Sequence, residues 1–166
     1  MTNISAKKIT VYALLSAAAL IFGYIEMLFP LSFIAPGVKL GIANTLSLYL
    51  VLRGNYKGAL LVNSVRILLG GLLFGGLFSL VFSFTAGMLS VLCSVAFSRL
   101  KVFGVLGISV AASTVHNLAQ LVVASVVVGG GVWYYAPLLL LIGIITGIFT
   151  GLVAWLMFKY TKKIIF

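Results

Sequence analysis

Asn63 and Arg66 are the first residues whose types and spacing suggest ligand chemistry. They lie three positions apart in an apolar run, so on a helix they share one face, which Gly70 continues. Arginine cannot neutralise itself, and its planar guanidinium suits a carboxylate or phosphate group. A charged side chain within an apolar helix is costly and normally faces the interior of a bundle. The pair therefore predicts an interior site for an anionic group.

Further polar side chains form helical stripes in two other apolar runs. Asn44 and Ser47 make a short stripe. A longer one, at spacings of three and four residues, comprises Ser109, Ser113, His116, Asn117 and Gln120. An isolated helix in lipid would not tolerate the longer stripe, because its polar groups would face hydrocarbon. We therefore expect both stripes to face other helices.

Two more charged residues, Glu26 and Lys39, lie at the ends of apolar runs. Counting from the loops places Arg66, His116 and Asn44 near the middle of their helices, and Gln120, Lys39 and Glu26 further out. We expect these residues to trace one cavity from the centre of the bundle to one surface. Its cationic groups outnumber its single acid, so an anionic or strongly polar ligand is the natural guest.

Each of these residues also has a structural interpretation. Asn44, Asn63 and Asn117 are equally suited to hydrogen bonds between helices, which contribute about 0.6 kcal/mol each in membrane proteins. A single interior histidine such as His116 often serves packing alone. Lys39 is long enough to extend its amine to the interface, and Glu26 suits an ion pair with Lys39 or Arg66. The sequence leaves these alternatives open.

Several kinds of chemistry are excluded by the residues that the chain lacks. Glu26 is its only acidic residue, so it has no aspartate for a Ser/His/Asp set and too few carboxylates for a Mg²⁺–diphosphate site. It has no GxxxxGK[ST] phosphate loop and no Cys/His cluster for zinc. We expect no enzyme activity, no metal and no cofactor. Its basic residues are spread along the chain, which does not favour nucleic-acid binding.

The composition is that of a membrane protein. Of 166 residues, 63% are hydrophobic and only 7% are charged, with a formal charge of +10, whereas a soluble domain averages about 25% charged residues. Runs of about 20 apolar residues cross a bilayer as helices. We predict one all-α membrane domain, residues 1–166, with six spans at about 9–29, 38–52, 58–74, 77–98, 102–128 and 137–158.

The basic residues predict the orientation of these spans. With the N-terminus inside, nine of the eleven basic residues fall at inner positions: Lys7, Lys8, Arg53, Lys57, Arg99, Lys101, Lys159, Lys162 and Lys163. The outer loops at 30–36, 75–76 and 129–135 hold none. This asymmetry satisfies the positive-inside rule and places both termini in the cytoplasm.

Small residues mark two helix faces that permit close backbone approach. Gly143, Gly147 and Gly151 recur every four residues in the last span, where we favour packing within the molecule. Ala13 and Ala17 form a small-xxx-small pair in the first span. For that pair, internal packing and contact with a partner helix remain equally open.

Five segments resemble the bacterial Gx transporter family, often labelled heptaprenyl diphosphate synthase component I. They are PGVKLGIANTLSLY (36–49), VNSVRILLGG (62–71), FSFTAGMLSVL (82–92), GISVAASTVHNLAQLVVA (107–124) and APLLLLIGIITGIFTGLVAW (136–155). The PGVKLGxAN and HNxxQ blocks are the specific ones. The resemblance covers nearly the whole chain after Phe29. It implies that Lys39, Asn44, Arg66, His116, Asn117 and Gln120 occupy family motif positions in a bacterial cytoplasmic membrane protein.

That family is grouped with the substrate-binding S components of energy-coupling-factor transporters. The resemblance thus implies a six-helix bundle with an outward-facing site, and as partners a small-molecule substrate, a transmembrane coupling subunit and ATPases. S components often carry an AxxxA pattern for docking the coupling subunit, which Ala13 and Ala17 match. The alternative is a non-catalytic accessory subunit of polyprenyl diphosphate synthesis, because a prenyl synthase uses aspartate-rich motifs and this chain has none.

Overall fold

The computed structural model describes residues 6–28 and 41–161, and within these ranges the chain forms six α-helices and no strand. The prediction of an all-α fold is confirmed. A π-helical turn, Gly71–Gly75, joins the third helix to the fourth, and a 3₁₀ helix, Gly130–Tyr135, joins the fifth to the sixth. The helices are α1 (Ala6–Leu28), α2 (Asn44–Leu52), α3 (Tyr56–Gly70), α4 (Gly76–Leu100), α5 (Val105–Val128) and α6 (Ala136–Tyr160). The predicted outer loop at 30–36 and Lys39 lie outside the described residues.

Four segments of the described chain are long and apolar enough to cross a membrane: Ala6–Leu28, Tyr56–Leu100, Val105–Val128 and Gly130–Tyr160. Large apolar side chains face outward along these segments, whereas serine, threonine and asparagine side chains are buried between them. This arrangement suits a lipid solvent, in which polar groups must find partners inside the protein. The chain is a multi-pass membrane protein.

The segment Tyr56–Leu100 is a helical hairpin rather than one long helix. Gly76 has a φ of 68°, a left-handed conformation that interrupts the helix and favours glycine. After this break α4 returns along α3, because Asn63 lies beside Met88 and Gly71 lies against Leu80. The predicted break near Gly75 and Gly76 is confirmed.

The predicted second span, 38–52, contains a much shorter helix in the described ranges. Helix α2 has nine residues, Asn44–Leu52, and rises only about 14 Å at 1.5 Å per residue. A hydrocarbon core is about 30 Å thick, so α2 does not cross it alone. Residues 45–51 are all buried, and α2 packs against α3, α4 and α6. It is therefore a core helix of the bundle.

The two ends of the bundle differ in composition. At one end, which we call the basic end, lie Arg53, Arg99, Lys101 and Lys159; at the other, the glycine end, lie Gly75–Gly76 and Gly129–Gly131. Two predicted connections shift by a few residues. Helix α4, whose predicted span ends at residue 98, continues to Leu100, and the turn begins at Lys101, with a φ of 54°. The predicted loop at 129–135 is mostly 3₁₀ helix.

Arg53 ties two helices together at the basic end. Its Nη2 donates to the carbonyl oxygen of Phe158 at 3.2 Å and to that of Thr161. Its guanidinium also lies 4.5 Å from the centroid of the Phe158 ring. The last carbonyl groups of a helix lack partners within the helix, and a cation there complements the helix dipole. Arg53 therefore anchors the end of α6 to the end of α2.

The glycine face of α6 packs directly on the backbone of α5. A Cβ atom added at Gly147 would lie 2.6 Å from Val110 Cα, and one added at Gly143 would lie 3.1 Å from Thr114 Cα. Because only glycine permits this separation, the interpretation of the face as packing within the molecule is confirmed. The Ser109 and Thr150 hydroxyl groups also share a hydrogen bond of 2.9 Å across this contact.

Candidate functional site

Arg66 lies at the centre of an amide cluster formed by α2 and α3. Its Nη2 donates to Asn63 Oδ1 at 2.9 Å and to Asn44 Oδ1. Asn63 is one turn earlier on α3, as the spacing predicts, and it is fully buried. Asn44 is the first residue of α2. We call Arg66, Asn44 and Asn63 the amide cluster.

The guanidinium of Arg66, a half-buried residue, has an unusual electrostatic environment. Both acceptors of Nη2 are neutral amide oxygens, and Arg66 Nε is buried without a hydrogen-bond partner in the described ranges. Glu26 lies close enough for a Coulombic attraction to Arg66. The Glu26 carboxylate is also buried and accepts the backbone N–H of Gly41. Glu26, the only acidic residue of the chain, thus interacts both with Arg66 and with a backbone amide just before α2.

Helix α4 contacts the amide cluster at Asn63. A Cβ atom added at Gly87 would lie 3.2 Å from Asn63 Nδ2 and 2.5 Å from Ile67 Cδ1. The thioether sulfur of Met88 lies 3.9 Å from the same Asn63 Nδ2. The sequence analysis did not identify Gly87, since a glycine in an apolar run gives no signal until its neighbours are known. It permits α4 to lie against the Asn63 side chain.

The polar stripe of α5 serves several different contacts. Asn117 Nδ2 donates to the carbonyl oxygen of Leu139 at 2.9 Å, which is a hydrogen bond between α5 and α6. His116 is buried, with 8% of its surface exposed. Ser109 and Ser113 face a small cavity of about 20 Å³, which is also lined by Asn44, Ser90, Ser94 and Thr150. That volume holds about one water molecule.

Gln120 lines a second, larger cavity of about 390 Å³. No hydrogen bond in the described ranges joins Gln120 or Asn117 to the amide cluster. The structure therefore does not bring all the predicted residues into one hydrogen-bonded site. Asn44, Asn63 and Arg66 meet, Glu26 lies near them, Asn117 joins two helices, and Gln120 faces a cavity whose walls are mostly apolar.

Ala13 and Ala17 lie on the outer face of α1. Both are exposed, whereas Ser16 and Ala19 are the residues of this stretch that are buried in the bundle. Neither residue of the pair is buried in the described bundle, and contact with a partner helix stays a prediction. The small-xxx-small face is directed outward, where a partner helix or lipid lies.

A family profile described as heptaprenyl diphosphate synthase component I matches residues 15–157. The chain belongs to this family. The match includes α2 to α5 completely and most of α1 and α6, and hence every described residue of the amide cluster. Comparisons with curated proteins and with solved structures gave no match. The description of the family as component I of a synthase implies a second component.

The residues of this family member do not include the usual ligands of a metal–diphosphate centre. The whole chain has one acidic residue, one histidine and one cysteine. In the ranges 6–28 and 41–161, no group of three or more histidine, cysteine, aspartate or glutamate side chains is close enough to hold a metal ion. What the amide cluster offers instead is a fixed guanidinium, aligned by amide oxygens, within an apolar bundle.

Proposed function

We propose that the chain is a non-catalytic, substrate-binding membrane subunit that holds an anionic or amphipathic small molecule inside its bundle. The observation that supports this most directly is the environment of Arg66. A cation inside a membrane bundle costs several kcal/mol unless it is compensated. Here the hydrogen bonds of Nη2 end on neutral amides, and Nε has no partner in the described chain.

An anionic group would complete this environment. A guanidinium binds carboxylate or phosphate through two parallel N–H donors, and such bonds are about twice as strong as neutral ones. Asn44 and Asn63 already orient the Arg66 guanidinium, because both accept hydrogen bonds from its Nη2. Glu26 keeps the net charge near the site low when no ligand is bound. Lys39, outside the described residues, remains a proposed second cation nearer the mouth.

For the assembly, we propose an energy-coupling-factor-type uptake system in the bacterial cytoplasmic membrane, with the chain as its S component. The outward-facing pair Ala13 and Ala17 supports this assembly, because an exposed small-xxx-small face permits close approach of a partner helix. The partners would be a transmembrane coupling subunit and ATPases, and the binding cavity would face outward from a six-span bundle with both termini cytoplasmic.

The family match favours a second candidate, an accessory subunit of heptaprenyl diphosphate synthesis. In that case the catalytic aspartates would belong to the other component, and the chain would hold a prenyl diphosphate at the membrane. Both candidates use the same binding chemistry at Arg66. They differ in the protein that associates with the chain.

Native mass spectrometry of gently purified protein tests the binding role. We expect the wild-type protein to carry a bound anionic small molecule. Arg66→Gln should reduce its affinity at least about tenfold, which is about 1.4 kcal/mol, while Arg66→Lys retains part of it. Arg99→Gln is the matched control, because Arg99 is an exposed arginine that stacks on Tyr56 at the basic end. Full occupancy in Arg66→Gln, together with a large fall in melting temperature, would make Arg66 a structural residue.

Affinity purification of the tagged chain from its native membrane separates the two assemblies. Recovery of a transmembrane coupling subunit with ATPases supports the uptake system. Recovery of a soluble prenyl synthase supports the accessory role. The double variant Ala13→Leu/Ala17→Leu should no longer associate with the coupling subunit and ATPases. If the double variant still co-purifies with them, the interface lies elsewhere.

A further inference from the structure

A large cavity lies between the halves of α4 and α5 nearest the glycine end. Its volume is about 390 Å³, which is within the range of pockets that enclose small molecules. Its walls are mostly apolar. The lining residues are Ser79, Phe82, Ser83, Gln120, Leu121, Ala124, Val128, Val132, Tyr135 and Leu139.

The two ends of this cavity differ in accessibility. Val128 and Tyr135, at the glycine end, are 75% and 45% exposed. Gln120 and Leu121, two turns deeper on α5, are 7% and 3% exposed. The cavity is therefore closed inside the bundle and open towards apolar surface.

Gln120 is the most deeply buried of the polar residues that line this cavity. Its side chain is more than nine-tenths buried, and it makes no hydrogen bond with the part of the chain that the structure describes. Buried polar side chains in proteins nearly always have a hydrogen-bond partner. Gln120 lines a mostly apolar cavity without a hydrogen-bond partner in the described chain, which indicates a ligand with a polar group at that depth.

The closed end of the cavity lies near the amide cluster along α4. Gly87 packs beside Asn63, and Ser83, which lines the cavity, is four residues before Gly87. Four residues of an α-helix rise about 6 Å. On α5, Gln120 is likewise one turn beyond the buried His116. Helix α4 thus contacts the amide cluster at Gly87 and lines the apolar cavity at Ser83, one turn nearer the glycine end.

We infer that this cavity binds the hydrocarbon chain of an anionic amphiphile whose charged head is held at Arg66. Gln120 forms a hydrogen bond with the polar atoms that join head to chain. The inference rests on the proposed function of Arg66 and adds the class of the ligand: a head of carboxylate or phosphate chemistry on an apolar tail, rather than a compact polar anion.

Farnesyl diphosphate and inorganic pyrophosphate are suitable probes, because they share a head and differ in the chain. Binding is measured by isothermal titration calorimetry on the full chain in lipid nanodiscs, with empty nanodiscs subtracted. We expect the wild-type protein to bind farnesyl diphosphate at least about tenfold more tightly than pyrophosphate, since each buried methylene favours binding. Equal affinities would overturn the inference without any variant.

Ala124→Phe fills the cavity and should weaken farnesyl diphosphate binding about tenfold while leaving pyrophosphate binding unchanged. Val126→Phe is the matched control, because Val126 is on the same helix and 82% exposed. Gln120→Leu, which leaves the apolar wall of the cavity in place, should also weaken the binding of farnesyl diphosphate. Unchanged farnesyl diphosphate affinity in Ala124→Phe would overturn the inference.

Arg66→Gln distinguishes failure of this inference from failure of the proposed function. If Arg66→Gln weakens the binding of both probes and Ala124→Phe weakens the binding of neither, Arg66 still binds the charged head. The hydrocarbon tail of the ligand then lies outside this cavity. If Arg66→Gln weakens neither probe, the anionic site itself is wrong. Absence of binding of both probes to the wild-type protein would overturn both proposals for diphosphate amphiphiles.

Discussion

Replacing Gly147 with alanine tests the contact that holds α5 and α6 together. The added Cβ atom would lie 2.6 Å from Val110 Cα and 3.1 Å from the Ser109 carbonyl oxygen. Carbon atoms in contact are normally about 3.5–4.0 Å apart. Both neighbours are backbone atoms, which no rotamer change can move. The two helices must therefore separate by about 1 Å to accommodate one methyl group.

The magnitude follows from what this separation disturbs. Overpacking in a well-packed interior costs about 1–3 kcal/mol. The hydrogen bonds from Asn117 to Leu139 and between Ser109 and Thr150 are each 2.9 Å long, and each contributes about 0.6 kcal/mol in membrane proteins. The higher helix propensity of alanine relative to glycine offsets about 1 kcal/mol of this destabilisation. We expect a net destabilisation of about 2 kcal/mol.

The assay is thermal unfolding of the purified protein in detergent. A loss of this size lowers the melting temperature by about 4–8 °C for a chain of this length. Gly23→Ala on α1 is the matched control, because its added Cβ would lie 3.8 Å from Ala43 Cβ, an ordinary contact. That variant should be unchanged or slightly more stable. A Gly147→Ala protein as stable as the Gly23→Ala protein would refute the close contact between α5 and α6.

Other predictions concern the basic end, the topology and the outer face of α1. Arg53→Gln removes the bonds to the Phe158 and Thr161 carbonyl groups and should lower the melting temperature by about 2–4 °C; an unchanged value would show that the contact adds no stability. In a variant without the native cysteine, a cysteine at Tyr134 should react with an impermeant reagent in intact cells, and one at Lys57 only after permeabilisation. External labelling at Lys57 would overturn the proposed orientation. The docking pair can be tested by Ala17→Trp alone, which should weaken partner recovery but leave the melting temperature unchanged, because Ala17 is exposed.

Much of the secondary structure follows from the sequence alone. The predicted spans 77–98, 102–128 and 137–158 agree within a few residues with α4, α5 and α6. Long apolar runs separated by glycine or basic turns determine these helices, because backbone groups in lipid must be satisfied within the same segment. The pairing of Arg66 with Asn63 also follows from a spacing of three. These features depend on local chemistry, so the sequence is sufficient to predict them.

Tertiary packing decided which polar residues meet. Asn117 and Gln120 lie on the same polar stripe of α5. Asn117 nevertheless donates a hydrogen bond to the Leu139 carbonyl oxygen, whereas Gln120 faces a mostly apolar cavity. Asn44 reaches Arg66 from the first position of α2, a short helix buried inside the bundle. Helical periodicity specifies the face of a side chain but not the neighbour opposite it. That neighbour depends on how closely the helices approach, which in this protein is set by glycines such as Gly87 and Gly147 at their contacts.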